Sequence, residues 1–327
     1  MLSQILQNKL NNFAGVLRNR FKPELQKQEY VYLIENPDVQ NAIKNNVFKN
    51  GREHYMRHGK SEGRIWPKNS VFNPQTFKFP NREALSTQIL IETTGKILEI
   101  GPLSMPLVKD PSCSYFDLMP TDELKEKARI AGLNPEDVPN IDFWHPEGDL
   151  SEIRERFDSV VSSHCIEHQP DLIQHLKSVA NLLIPNGKYY LVIPDRRYCF
   201  DHFLSPSGAA EVIMAHEERR RMPNRMSIIK HLVFTTHNDA ARHWKGDHSS
   251  GDENISERWK SAEEFIKRNE GQYSDVHCWQ FEPNSFSQLI DNLFELCYID
   301  FKCIETYPTI RNKLEFFAII QKIQRVS

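Results

Sequence analysis

Leu98-Glu99-Ile100-Gly101-Pro102-Leu103-Ser104-Met105-Pro106 is the stretch whose reading decides the fold. An apolar run of strand length, Lys96 to Ile100, stops at a glycine turn, the pattern of a first strand opening a nucleotide-binding sheet. A dinucleotide fingerprint needs three glycines, the second so that backbone can approach a pyrophosphate. Here Leu103 and Pro106 stand at the second and third glycine places. A pyrophosphate would meet side chains and a missing N–H, which argues against NAD or FAD. A nucleoside without phosphates escapes that restriction. It needs one tight turn, at Gly101, an acid near its ammonium group and an acid on the next strand for its ribose hydroxyls. Glu99 and Asp117 supply those acids, and their separation of eighteen residues fits the interval between strand ends in a βαβ unit.

Working outward, Ser114 to Leu118, Pro139 to Phe143, Asp158 to Ser162 and Lys188 to Ile193 are further short apolar runs. Helical stretches at 82–93, 121–131 and 171–183 intervene, the last opened by Pro170-Asp171 and closed by Asn186-Gly187. Strand and helix alternating at this spacing predict an α/β fold with a doubly wound, mostly parallel sheet. Ligands of such sheets bind outside the carboxyl ends of the strands, so chemistry should collect just after Ile100, Phe116, Phe143, Val161 and Ile193. Pro283 to Tyr298 reads as a helix, and Ile299 to Tyr307 with Leu314 to Ile323 as a closing hairpin, seven strands in all. The interval 195–280 breaks the alternation and reads as a long insertion.

Composition narrows the partners. Forty-one basic against forty-four acidic residues give a net charge of -3, and no aromatic-basic stacking motif appears, so nucleic acid is not expected as a partner. The six cysteines form no CxxC pair, which argues against a zinc knuckle or a disulfide framework. No apolar run approaches the roughly 18 residues of a membrane span, and a cytoplasmic chain is expected. Residues 1–23 carry Lys9, Arg18, Arg20 and Lys22 without one acid, on a helical apolar stripe. This basic amphipathic helix has two readings: peripheral docking at the inner face of a membrane, or packing on the protein's own body or on a second copy, a homo-oligomer. Residues 24–80 read as a small helical module and linker, with Pro67, Pro74 and Pro80 marking the boundary to a larger domain over 81–327.

The motifs Leu98-Glu99-Ile100-Gly101, Tyr115-Phe116-Asp117, Phe157 through His168, and Leu182 through Lys188 occur in this order and together resemble class I S-adenosylmethionine-dependent methyltransferases. The likeness runs from about 95 to 200 and implies a Rossmann-like methyltransferase fold with S-adenosylmethionine as cofactor. Ile193-Pro194-Asp195-Arg196-Arg197, then Phe200-Asp201 and His277 to Pro283, is similar to methyltransferases near bacterial surface-polysaccharide genes. The resemblance implies that Glu99 and Gly101, with the neighbouring Pro102 and Ser104, face the methionine portion of the donor. It places Asp117 and Leu118 at the ribose, Asp142 or Asp149-Leu150 at the adenine, and Ser163 with His164 beside the sulfonium. The turn after Gly101 departs from the family pattern: Pro102, Pro106 and Pro111 leave room for barely one helical turn before the second strand. The segment 30–66, with Asn36-Pro37-Asp38-Val39, His54-Tyr55, Gly59 and Glu62-Gly63-Arg64, resembles a small bacterial module found beside glycosyltransferase and methyltransferase domains, and implies no chemistry.

Methyl transfer from a sulfonium is an in-line displacement that, for a hydroxyl acceptor, needs a base. His164 is the expected base, with Asp195 and His277 as rivals. His164 and His168 share a four-residue spacing, but one ends a strand and the other precedes Pro170, so no metal site is expected there. The run Arg219, Arg220, Arg221 and Arg225 either meets an acidic acceptor, such as a sugar nucleotide, or is a solvated face offset by Glu217 and Glu218. The expected activity is O-methylation of a glycan or glycan precursor. A methyltransferase for a small metabolite or protein, and a non-catalytic scaffold, are the alternatives.

Overall fold

A computed structural model describes residues 32, 36, 38–39, 42, 47–64, 66, 81–249 and 254–325. The amphipathic stretch 1–23 and the whole of 67–80 lie outside the described residues, as does Pro37. The chain divides into two compact units, Met1–Pro80 and Asn81–Ser327.

In the first unit the quoted motif residues make one another's contacts. Tyr32 is buried, stacks near Tyr55 and Trp66, and shares a 2.9 Å hydrogen bond with His54 Nδ1. Arg64 donates to both Asp38 oxygens, at 2.8 and 2.7 Å, and to Asn36 Oδ1 at 2.8 Å. That pairing holds the Asp38 carboxyl below its ordinary range. Helix α1, Gly51–His54, continues into a wide turn, Tyr55–Gly59. Gly59 permits the packing, since a Cβ there would fall 2.4 Å from the Tyr32 hydroxyl.

The second unit is built on a seven-stranded sheet of order β3-β2-β1-β4-β5-β7-β6. Its strands are β1 Ile97–Ile100, β2 Cys113–Asp117, β3 Phe143–Trp144, β4 Phe157–Ser163, β5 Leu183–Pro194, β6 Phe301–Tyr307 and β7 Glu315–Lys322. The first five run parallel, and β7 pairs antiparallel with both β5 and β6, so the closing hairpin inserts its second strand beside β5. Both faces are covered, which is why the central strands read as continuous apolar runs. Leu98, Ile100, Val160, Leu191, Ile193, Phe316 and Ala318 join one core with helices α4, Leu172–Leu182, and α9, Pro283–Glu295. Those helices present Leu172, Leu176 and Val179, and Phe286, Leu289, Ile290 and Leu293, at the helical period. On the opposite face lies α2, Arg82–Glu92, whose Glu92 accepts from Tyr190 Oη at 2.6 Å and from Lys188 at 2.9 Å. Asn81 and Asp171 cap α2 and α4, each accepting a 2.8 Å bond from a first-turn N–H.

Three sequence expectations are corrected. No helix, not even one turn, lies between β1 and β2; the connection is an irregular loop. The third strand shrinks to Phe143–Trp144, because Val138 and Ile141 pack against Leu124 and Ala128 of α3, Thr121–Ile130, instead of extending the ladder. Asn186-Gly187 do not close α4, which ends at Leu182, but form a kink inside β5. Leu183 pairs with Phe157 and Lys188 with Ser159, so β5 carries extra residues there, with Asn186 at φ 62° taking up the turn.

The insertion folds as helices α5 Ala209–Glu217, α6 Arg225–Val233, α7 Ala240–His243 and α8 Ile255–Arg268. It leaves at Asp195 and returns at Phe281, and these two residues bridge. On its way back it donates from Cys278 N and Trp279 N to the Glu167 carbonyl, which brings His277 beside the turn that follows β4. Among the described residues no helix is long and apolar enough to cross a membrane.

Candidate active site

The carboxyl ends of β1, β2, β4 and β5 converge on the groups singled out by the sequence. Gly101 turns at φ 70°, and a Cβ built on it would come 3.9 Å from the Cys165 side chain, so the β1 and β4 tips face each other across this residue. Burial pushes the Cys165 thiol up to about 12, leaving a neutral wall. Asp117 ends β2, buried, with Oδ1 accepting from Leu118 N at 2.7 Å. Desolvation raises its pKa, against the pull of the Leu118 and Leu103 N–H groups. A carboxylate met only by backbone donors keeps lone pairs for a vicinal diol. Beside it Leu118 is 37% exposed, with its Cδ2 packed toward Gly148.

Glu99 is placed differently from the sequence reading. Its oxygens accept from Leu107 N at 2.6 Å and Val108 N at 2.9 Å, inside the loop that replaces the missing helix. It therefore braces the loop that carries Gly101, Pro102 and Ser104, both of the latter buried. Burial pushes its carboxyl up to about 7, opposed by the two N–H bonds. On the far side, Asp142 accepts from Tyr115 N at 2.9 Å and fastens the edge of β2, while Asp149 accepts from Ser151 N, a bond that holds its pKa low. Leu150 is buried in the main core and offers no surface to a ligand.

Ser163, the last residue of β4, is half-buried, and His164 just past it adopts φ 49°, a left-handed conformation uncommon outside glycine and asparagine. His164 Nε2 lies 2.9 Å from Glu315 Oε2, and Glu315 also meets Arg82 at 3.1 Å. Burial pushes Glu315 up, but the His164 bond and the Arg82 charge outweigh it and hold its pKa below the ordinary value. An ionised Glu315 fixes the Nε2–H tautomer and leaves the Nδ1 lone pair open. Nδ1 faces Glu167 Oε1 at 3.8 Å, too far for a hydrogen bond.

The two rivals for the base have different surroundings. Asp195 is fully buried: Oδ1 accepts from Arg197 N and Nε, and Oδ2 from Arg197 Nη2 and Thr309 Oγ1, both at 2.6 Å. Four donors fill its lone pairs, so it anchors the base of the insertion instead of taking a proton. We expect Asp195→Ala to cost about 2–3 kcal/mol in urea unfolding, moderated because Arg197 is 40% exposed and regains water. A change under about 0.5 kcal/mol would show that the anchor is idle. His277 is buried and has a pairing like that of His164: Nδ1 shares a 2.7 Å hydrogen bond with Asp201 Oδ2, and Nε2 lies 3.9 Å from Glu167 Oε1. Of the basic run, Arg220 pairs with Glu218 at 2.5 Å, while Arg219, Arg221 and Arg225 are exposed.

Glu315, Asp201 and Asp275 were missed by sequence reading. Glu315 stands 151 residues from His164 and becomes its neighbour only through the β5–β7 register, which no local pattern encodes.

These strand tips define a doubly wound α/β domain with a buried acid after its second strand and no phosphate cradle. Residues 75–248, more than half of the chain, match the family model described as a methyltransferase domain, and the chain belongs to that family. Among solved structures, a S-adenosylmethionine-dependent methyltransferase from Clostridium acetobutylicum aligns at 10% identity and TM-score 0.38, covering 73% of this chain and 89% of that one. The CcbJ methyltransferase from Streptomyces caelestis aligns at 9% identity and TM-score 0.38, covering 79% and 94%. A putative O-methyltransferase from Nostoc punctiforme aligns at 12% identity and TM-score 0.33, covering 74% and 55%. No curated protein matches. The donor is S-adenosylmethionine, which supplies an electrophilic methyl group on sulfur.

Proposed function

We propose that the chain O-methylates a hydroxyl of a glycan or glycan precursor in surface-polysaccharide assembly, with His164 as the base. The observation that carries this reading is the Glu315–His164 pair at the tip of β4. It leaves the imidazole Nδ1 without a hydrogen bond, 3.8 Å from the Glu167 carboxylate, one residue before Cys165, whose side chain faces Gly101. Such a pair can take a hydroxyl proton, and the imidazolium is then flanked by two carboxylates, Glu315 and Glu167. The saccharide assignment draws its support from the motif Ile193 to Arg197 with Phe200-Asp201 and His277 to Pro283. The exposed Arg219, Arg221 and Arg225 add charge suited to a phosphate-bearing acceptor.

In this reading Asp117 takes the ribose hydroxyls, Leu118 flanks the nucleoside, and Asp142 or Asp149 lies toward the adenine. Gly101 leaves room for the methionine portion, and Ser163 lies beside the sulfur. Glu99 acts through the loop it braces. The test is calorimetry with S-adenosylhomocysteine. Asp117→Ala is expected to weaken it at least tenfold, about 1.4 kcal/mol, and an unchanged affinity removes Asp117 from the site. Mass spectrometry of glycan precursors incubated with donor should then show the gain of one CH₂; transfer to a non-saccharide acceptor alone would overturn the substrate class. The packing of the amphipathic stretch 1–23 against a membrane surface or a second copy is part of the same proposal, separated by vesicle flotation and light scattering.

A further inference from the structure

Among the described residues, Glu167 is the buried carboxylate with neither oxygen hydrogen-bonded; Glu99, Asp117, Asp195 and Asp201 each have at least one bonded oxygen. Its side chain is 0% exposed, and neither carboxylate oxygen has a hydrogen-bond partner. A buried carboxylate left alone costs several kcal/mol unless a cation or a proton compensates it. Imidazole nitrogens, not hydrogen-bond donors at bonding distance, surround it. His168 Nε2 lies 3.8 Å and His277 Nε2 3.9 Å from Oε1, with His164 Nδ1 at 3.8 Å on another side.

These spacings are too long for hydrogen bonds yet close to the separation of ligands sharing one ion, about 3.4 Å for bonds of about 2.1 Å in tetrahedral geometry. The ligand atoms of Glu167, His168 and His277 all lie within 4.8 Å of one another. Each histidine has a carboxylate beside its far nitrogen: His277 Nδ1 shares a 2.7 Å hydrogen bond with Asp201, and His168 Nδ1 lies 2.9 Å from Asp275 Oδ1, an ion-pair distance without hydrogen-bond geometry. Carboxylates behind histidines in this way orient the rings of metal ligands and raise their basicity. The histidine rings meet edge to face, at 88° and 4.8 Å, so both aim a nitrogen at the same carboxylate without stacking.

We propose that Glu167, His168 and His277 bind one divalent first-row transition-metal ion. Two imidazoles and a carboxylate suit zinc or cobalt, and three protein ligands leave a further coordination position open. The second histidine cluster, His202, His243 and His248, lacks these features. Its His243 nitrogens already bond His248 and the His237 carbonyl, and no orphaned anion sits among the rings. Because His164 Nδ1 lies 3.8 Å from Glu167, an ion held there would stand near the proposed base. This last step rests on the transfer reading above; the binding site itself does not.

The experiment uses the full chain, dialysed against chelator and titrated with Co²⁺ followed by visible absorption, then with competing Zn²⁺. One equivalent is expected to bind, with the absorption bands of a four- or five-coordinate ion. Glu167→Gln, His168→Ala and His277→Ala are expected to lower affinity at least 100-fold, and His248→Ala to leave it unchanged. Should the core variants fail to fold, Asp275→Asn serves instead: its side chain is 66% exposed, and an outer carboxylate is worth about 10- to 100-fold in metal affinity. No stoichiometric binding by the wild-type chain, or binding that Asp275→Asn leaves intact, overturns the proposal. S-adenosylhomocysteine affinity, read separately by calorimetry, tells failure of the metal site from failure of the transfer reading.

Discussion

Turnover of His164→Asn is expected to fall about 10²- to 10⁴-fold, the usual loss on removing a positioned base, while S-adenosylhomocysteine affinity stays within about twofold. Asparagine is chosen for the backbone. Position 164 sits at φ 49°, where asparagine is tolerated and alanine strained, so the variant separates lost chemistry from lost structure. Glu315 survives the change because Arg82 still reaches it at 3.1 Å. The wild-type pair also has an acid limit. Glu315 has its folded pKa below the ordinary value of 4.5, so the stability it contributes is present above that value and fades as pH falls below it. The measurement is methyl incorporation from labelled donor into glycan precursors, with calorimetry on the same preparations. Retained turnover would clear His164 of the role and move attention to a water-mediated route.

The sequence was most legible where one residue type does one local job. The turn at Gly101 and the place of Asp117 at the end of β2 were legible because a strand end, a turn and an acid on the next strand follow one another within eighteen residues. The closing hairpin was legible because its two apolar runs keep the period of a strand. What stayed hidden depends on distance along the chain or on competition between satisfied partners. Glu99 looked like a ligand because an acid at a strand end is a common ligand. The missing helix left two loop N–H groups that claimed its oxygens first. Asp195 looked reactive and is saturated by Arg197 and Thr309. The spacing of His164 and His168 gave no helical metal motif, since His164 turns at φ 49° and His168 lies in a short 3₁₀ turn. The cluster at Glu167 arises because the insertion returns 110 residues later and lays His277 against the same turn.

The loop between β1 and β2 leads to the second large effect, at Glu99. Glu99→Ala leaves the buried N–H groups of Leu107 and Val108 unpaired, at about 1–3 kcal/mol each, so urea unfolding should show a loss of about 2–6 kcal/mol. Cofactor affinity should fall with it, since Gly101 sits at the start of the loop these bonds hold. The pH dependence discriminates further. Burial raises the folded pKa of Glu99 from 4.5 to about 7. The folded state then holds a proton that the unfolded state releases between those values. Its contribution is fully present below pH 4.5 and is lost as pH rises towards 7, at most about 3 kcal/mol. Glu99→Gln cannot release that proton, so its stability should be flatter than wild type between pH 5 and pH 8. Parallel curves for the two chains would mean that the Leu107 and Val108 N–H groups keep the carboxylate charged throughout. The loop would then be held by an anion, and acidification through that window would leave the Gly101 turn in place.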